Sequence, residues 1–213
     1  YRKKGTEVDM FVYKTGKMME CREYEGTRVI SGSSSVLEAV MNSNSHEKVL
    51  VHFLDKEMWD VLNKYRDNRD IIVWIHGSEI QPWHRRKFNY ENEEQIEKAK
   101  IASKERMDFW TPLMNQIPEN MHFVFVSNYF ADEVMEDLGI TLGNEKYSII
   151  HNPINTSLFT FHTKPKSHRS KILSIRPFAS RKYANDLTVE AILHLSKKPI
   201  FKDLQFLIIG DGR

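Results

Sequence analysis

The sequence predicts an α/β protein built on parallel sheets, and three observations carry that prediction. Short apolar runs alternate with stretches of helical periodicity, which marks consecutive strand–helix–strand units. The run Ile71-Ile72-Val73-Trp74-Ile75 is apolar throughout, as suits a strand covered on both faces. A second series starts at Lys171, after a stretch that holds Pro153 and Pro165 and has little periodic apolarity.

The elements follow in order. Ser33 to Asn42 is expected to be helical, with Ser35 and Glu38 at the spacing of a capping box. Lys48 to Phe53 reads as a buried strand, and Lys56 to Tyr65 as a helix with Met58, Trp59, Leu62 and Tyr65 on one face. After the strand Ile71 to Ile75, the residues Ile96, Ala99, Ser103, Met107, Trp110 and Met114 recur at helical intervals and predict one long amphipathic helix. Met121 to Val126 is the next strand, and Tyr129 to Leu138 the next helix, with Gly139 as its left-handed cap. Tyr147 to Ile150 is a further strand. His151 to Arg169 reads as a connection, with a domain boundary near His168, so the domains are expected at residues 1–168 and 169–213. The second domain then opens with strand Ile172 to Ile175, helix Asp186 to Ser196 and strand Leu204 to Ile209. One such unit cannot bury a parallel sheet by itself.

Composition narrows the classes of function. Thirty-one basic residues face 29 acidic ones, a net charge of +2, which lacks the dense positive field of a dedicated nucleic-acid binder. Any anion must therefore be held locally. Cys21 is the only cysteine, so no intrachain disulfide can form, and a reducing compartment, the cytoplasm, is expected. The longest apolar runs are far below the ~20 residues that cross a bilayer. The basic start Arg2-Lys3-Lys4 leads into Thr6-Glu7-Val8-Asp9 instead of an apolar stretch, unlike a secretory signal. The nine histidines are dispersed, so no metal is expected. There is no P-loop, no Gly-x-Ser-x-Gly elbow, and no full glycine fingerprint of a nicotinamide-dependent oxidoreductase.

The strongest chemical signal is Arg176, directly after the strand Ile172 to Ile175, with Arg181 and Lys182 just before a helix start. Ligands of parallel sheets gather at the carboxyl ends of strands, where helix N-termini offer free backbone donors. Arg grips a phosphate through paired hydrogen bonds and Lys acts as a mobile charge, so the pair suits a diphosphate. A solvated basic turn is the competing reading. Gly210 and Gly212 end the following strand and would let a ligand approach the backbone there.

Two readings also stand for His76-Gly77 after Ile75: a structural turn, or a group that bonds a substrate hydroxyl. Ser127 with Asn128 reads as a helix cap, and Asn152-Pro153 as a rigid turn. The run Trp83-His84-Arg85-Arg86-Lys87 is either a solvated loop or a surface for an anionic acceptor, a lipid-linked phosphate or a membrane face.

Taken together, Phe123 to Asn128, Ile149 to Asn155 through Phe159, Ile172 to Lys182 and Leu207 to Gly212 resemble the retaining GT-B glycosyltransferases of the glycogen-synthase-like and mannosyltransferase-like group (glycosyltransferase family 4 type). The resemblance covers roughly Ile71 to Arg213. It implies two Rossmann-like domains with parallel sheets, the second only partly present, and transfer of a sugar from a UDP- or GDP-sugar to a glycan or lipid-linked acceptor with retention. It implies that Arg176 and Lys182 hold the donor diphosphate, with Gly210 and Gly212 beside it, and that His76 stands at the interdomain cleft as a catalytic group. No cofactor beyond the donor substrate is implied. A peripheral location at the inner membrane face, through Trp83, Arg85, Arg86 and Lys87, fits a lipid-linked acceptor.

The chain departs from the family's pattern in three places. Tyr183 stands where the family commonly has Gly. The family's early Gly-rich loop precedes Tyr1, and its later pair of Glu, seven residues apart, is expected beyond Arg213, so the activity is expected of the parent protein. The alternative function is a non-catalytic Rossmann-like module that docks an anionic partner through Trp83 to Lys87.

Overall fold

The computed structural model describes residues 5–43 and 46–212, which leaves the basic start Arg2-Lys3-Lys4 and the terminal Arg213 outside the described residues. The described chain is mixed α/β and Rossmann-like, with a four-stranded all-parallel sheet at its centre. It divides into two compact units, Tyr1–Pro82 with Ile101–Asn152, and Trp83–Lys100 with Pro153–Arg213. The continuous part of the first unit ends at Asn152. The last main-chain bond into its sheet is donated by Ile150 to Phe125, 3.0 Å long, and Pro153 has no N–H to extend the ladder.

The first unit opens with three strands that the sequence pattern did not announce: β1 (Met10–Tyr13), β2 (Glu20–Tyr24) and β3 (Thr27–Gly32). They form a small sheet in the order β1-β3-β2, with β1 parallel and β2 antiparallel to β3. β2 and β3 are joined by Glu25 and Gly26, with φ of 47° and 73°. Two positive φ angles in a two-residue loop match the twist of a tight hairpin.

Helix α1 (Ser34–Ser43) begins one residue before Ser35, and the Glu38 carboxylate accepts from Lys64 Nζ at 2.8 Å. The expected Ser35–Glu38 capping box is therefore not formed. Strand β4 (Lys48–His52) ends one residue earlier than expected, because Phe53 turns into the left-handed region at φ 57°. Asp55 then caps α2 (Lys56–Leu62) by accepting from Met58 N at 2.8 Å, and a 3₁₀ segment (Asn63–Asn68) follows.

The main sheet takes β4, β5 (Asp70–Ile75), β6 (Met121–Phe125) and β7 (Tyr147–Ile149) in that order, every pair parallel. Ile71, Val73 and Ile75 point into the core with Phe123 and Phe125, all nearly or fully excluded from solvent. The long helix α3 (Glu93–Asn115) lays Trp110, Leu113 and Met114 into the same core. Its buried Ser103 falls on the apolar stripe expected from the sequence. Ser127 caps α4 (Asn128–Leu138) by accepting from Phe130 N at 3.2 Å, and Gly139 closes it at φ 65°, both as expected.

The second unit holds β8 (Lys171–Ile175), α5 (Asn185–Leu195) and β9 (Gln205–Ile209), with β8 and β9 parallel and in register from Lys171 opposite Gln205 to Ile175 opposite Ile209. Leu173, Ile175, Leu207 and Ile209 remain exposed. A cleft of about 390 Å³ lies along α5, lined by Ile172, Leu187, Ile192, Leu195 and Phe206, with Arg176 contributing the one charged side chain. Among the described residues, no helix is long and apolar enough to cross a membrane.

Candidate functional site

The cationic site is built at the carboxyl end of β8. Arg176 N donates to Ile209 O at 3.0 Å, which carries the ladder one residue past the strand. From there the guanidinium reaches the returning chain, donating from Nη1 to Tyr183 O at 2.8 Å. That bond uses one of the five N–H donors of Arg and orients the fork. The Arg176 and Lys182 side chains both belong to exposed residues.

The turn between them is fixed locally. Ser180 Oγ accepts from Lys182 N at 3.3 Å and caps a 3₁₀ segment (Arg181–Tyr183). Lys182 Nζ sits 4.9 Å from the centroid of the Tyr183 ring, within cation–π range. The left-handed residue is Ala184, at φ 50°, one place after the position the family fills with Gly. Tyr183 therefore keeps an ordinary backbone, and Ala184 carries the strain. Asn185 Nδ2 donates to Pro177 O at 2.8 Å and ties the start of α5 to the strand exit.

Gly210 and Gly212 have a cause inside the chain. A Cβ on Gly210 would collide with the Arg176 carbonyl oxygen, and one on Gly212 would stand 2.9 Å from Phe178 Cβ. The two strand exits close on each other there, with Phe178 N donating to Asp211 O at 2.7 Å. The glycines thus serve the approach of one backbone to another, and that approach sets where Arg176 begins.

The run Trp83 to Lys87 lies in short 3₁₀ turns (Trp83–Asn89) that kink at Arg86, where φ is −118° and ψ 16°. Lys100 Nζ stands 5.4 Å from the Trp83 ring centroid, and His84 meets that ring edge-on. This segment packs beside Arg181–Tyr183, so the two basic stretches singled out in the sequence lie together in the second unit.

His76 belongs to the first unit, directly after β5. Its backbone N–H and that of Gly77 both donate to the Glu79 carboxylate, at 2.5 and 2.8 Å. Gly77 has φ 145°, a conformation that favours glycine at this turn. The His76 ring lies 4.5 Å from Phe53 and meets His52 through a ring nitrogen contact of 2.8 Å between His52 Nδ1 and His76 Nε2. Partial burial, aided by the nearby His76, lowers the His52 pKa below its ordinary 6.5.

Sequence reasoning missed His52 and Glu79. The signal for His52 is a polar residue ending an apolar strand beside the strand that His76 follows. The signal for Glu79 is a carboxylate three residues beyond His76. His151, in the turn Asn152-Pro153 closes, donates from Nδ1 to Val126 O at 2.8 Å, a structural bond. Among the described residues, no group of three or more His, Cys, Asp or Glu is placed to hold a metal ion.

No family model matches the chain, and no curated protein matches it.

Proposed function

We propose that the protein transfers a sugar from a nucleotide-sugar donor, UDP- or GDP-linked, to a glycan or lipid-linked acceptor, with retention of anomeric configuration. One observation carries the reading. Arg176 leaves the carboxyl end of a parallel strand with its guanidinium anchored to the turn that bears Lys182, directly before the N-terminus of α5. Such a turn offers a forked donor, a point charge and a positive helix dipole, which suit a diphosphate leaving group. Charge on the departing phosphate is then stabilised by Arg176 and Lys182 as it develops. His76 is in this reading a hydrogen-bonding group for a sugar or acceptor hydroxyl.

Titration calorimetry with UDP and GDP tests the reading. Arg176→Ala and Lys182→Ala are each expected to weaken binding about tenfold or more, since a charge-assisted hydrogen bond contributes about 1.5–3 kcal/mol. Unchanged affinity in both variants contradicts the site.

A second reading is favoured by one observation, the packing of Trp83–Asn89 beside Arg181–Tyr183. It makes the combined basic face a docking surface for an anionic partner without transfer chemistry. Nucleotide binding with sugar turnover decides for the first reading, and its absence for the second.

A further inference from the structure

His52 ends β4, and His76 directly follows the last residue of the adjacent parallel strand β5. His52 is the last residue of β4 and pairs in register with Trp74, two residues before His76. Side chains two apart on a strand share a face, so His52, Trp74 and His76 lie on one side of the sheet. The geometry agrees: the His52 ring centroid is 5.4 Å from Trp74 and 5.1 Å from His76, with the imidazole planes 26° apart.

His76 is held from three directions. Glu79 fixes its backbone, Phe53 flanks its ring from a left-handed backbone position, and His52 meets its Nε2 at 2.8 Å. Two imidazoles in such contact need one donor and one acceptor. Glu79 accepts from the His76 and Gly77 backbone N–H groups, and Asp55 from Met58 N. Among the described residues, His76 Nδ1 and His52 Nε2 make no hydrogen bond.

We propose that His52 is a positioning residue for His76: it accepts the His76 Nε2–H at its own Nδ1 and leaves His76 Nδ1 as the nitrogen that meets a substrate hydroxyl. The assignment follows from the charge states. A cationic His76 is a donor at both nitrogens, so only an accepting His52 Nδ1 keeps the contact in both charge states without a ring flip. His52 then carries its own proton on Nε2 and stays neutral, consistent with its lowered pKa. This assignment rests on reading His76 as a substrate-contacting group, but the state of the ring pair is measurable without any substrate.

Two-bond ¹H–¹⁵N correlation spectra of the imidazoles, recorded on the protein without nucleotide above pH 7, test it. His76 is expected protonated at Nε2 and bare at Nδ1, and His52 the same. His52→Asn places an amide oxygen near the lost Nδ1 and should preserve the His76 tautomer. His52→Phe keeps a ring against Trp74 without an acceptor, and should release His76 into exchange between both tautomers, a change that a purely packing role would not cause. The Trp110 indole signal, whose N–H donates to Glu79 O at 2.7 Å, reports whether each variant keeps the local fold. A parent His76 protonated at Nδ1, or an unchanged tautomer in folded His52→Phe, overturns the proposal. The parent spectrum alone decides if that variant does not fold. Loss of nucleotide binding would sink the transferase reading and leave this result standing, so the two failures are distinguishable.

Discussion

The first unit excludes Val73, Ile75, Phe123 and Phe125 from solvent completely, whereas the comparable strand residues Leu173, Ile175 and Leu207 of the second remain 56%, 66% and 57% exposed. The main sheet of the first unit and the strand pair of the second are both parallel, and the residue types of these strands are alike. The difference lies in the neighbours. β5 and β6 have strands on both sides and Trp110 in the core against them, while β8 and β9 form a two-stranded sheet with no further strand beside them among the described residues. Apolar strand residues become a core only when layers cover them. The two candidate sites differ accordingly: His76 is fixed by packed elements, and Arg176 with Lys182 by the hydrogen bonds of one turn.

The largest expected effect breaks this comparison most sharply. Phe123→Ala should cost about 3–5 kcal/mol in urea unfolding, and Leu207→Ala about 0.5 kcal/mol or less, since a half-exposed side chain leaves little cavity. Equal losses would mean that the second unit is covered in solution. Next comes Gly210→Ala, whose methyl would overlap the Arg176 carbonyl and should cost about 1–3 kcal/mol. Hydrogen exchange at the Arg176 amide reads that loss locally, and undiminished protection would contradict the close approach of the strand exits.

The smallest effects are in pH, and the sign differs in window but not in direction. His52 has a lowered pKa, so the unfolded chain binds the proton more readily. Its contribution is complete above about pH 6.5 and falls as pH drops below that value. Asp9 is held low first by Arg28 and then by His46, so its contribution is present above pH 3.8 and lost as pH falls through the folded value. Thermal melting between pH 7 and 5.5 should decline modestly in the parent and less in His52→Asn. The Asp9 loss should appear only in the acid range, and a reversed order would contradict both assignments.

Much of the fold was legible in the sequence because burial leaves a period. The apolar run at Ile71, the stripe through Ser103 and Trp110, and the Gly139 cap all reappear in place. β1 to β3 were not legible by that route, since every residue of β2 is exposed and no alternation marks it. At the sites, Arg176, Lys182 and His76 could be named from strand ends and turns. The His52 contact could not, because it depends on the register of β4 against β5. Nor could the role of Gly210, which depends on the path of a strand more than 30 residues earlier.

The central claim is that the turn after β8 reads a diphosphate, and comparing UDP with UMP by calorimetry isolates it. The parent should prefer UDP about tenfold or more, and the double variant Arg176→Ala/Lys182→Ala should lose that preference while holding UMP as before. An undiminished preference in the double variant would contradict the account.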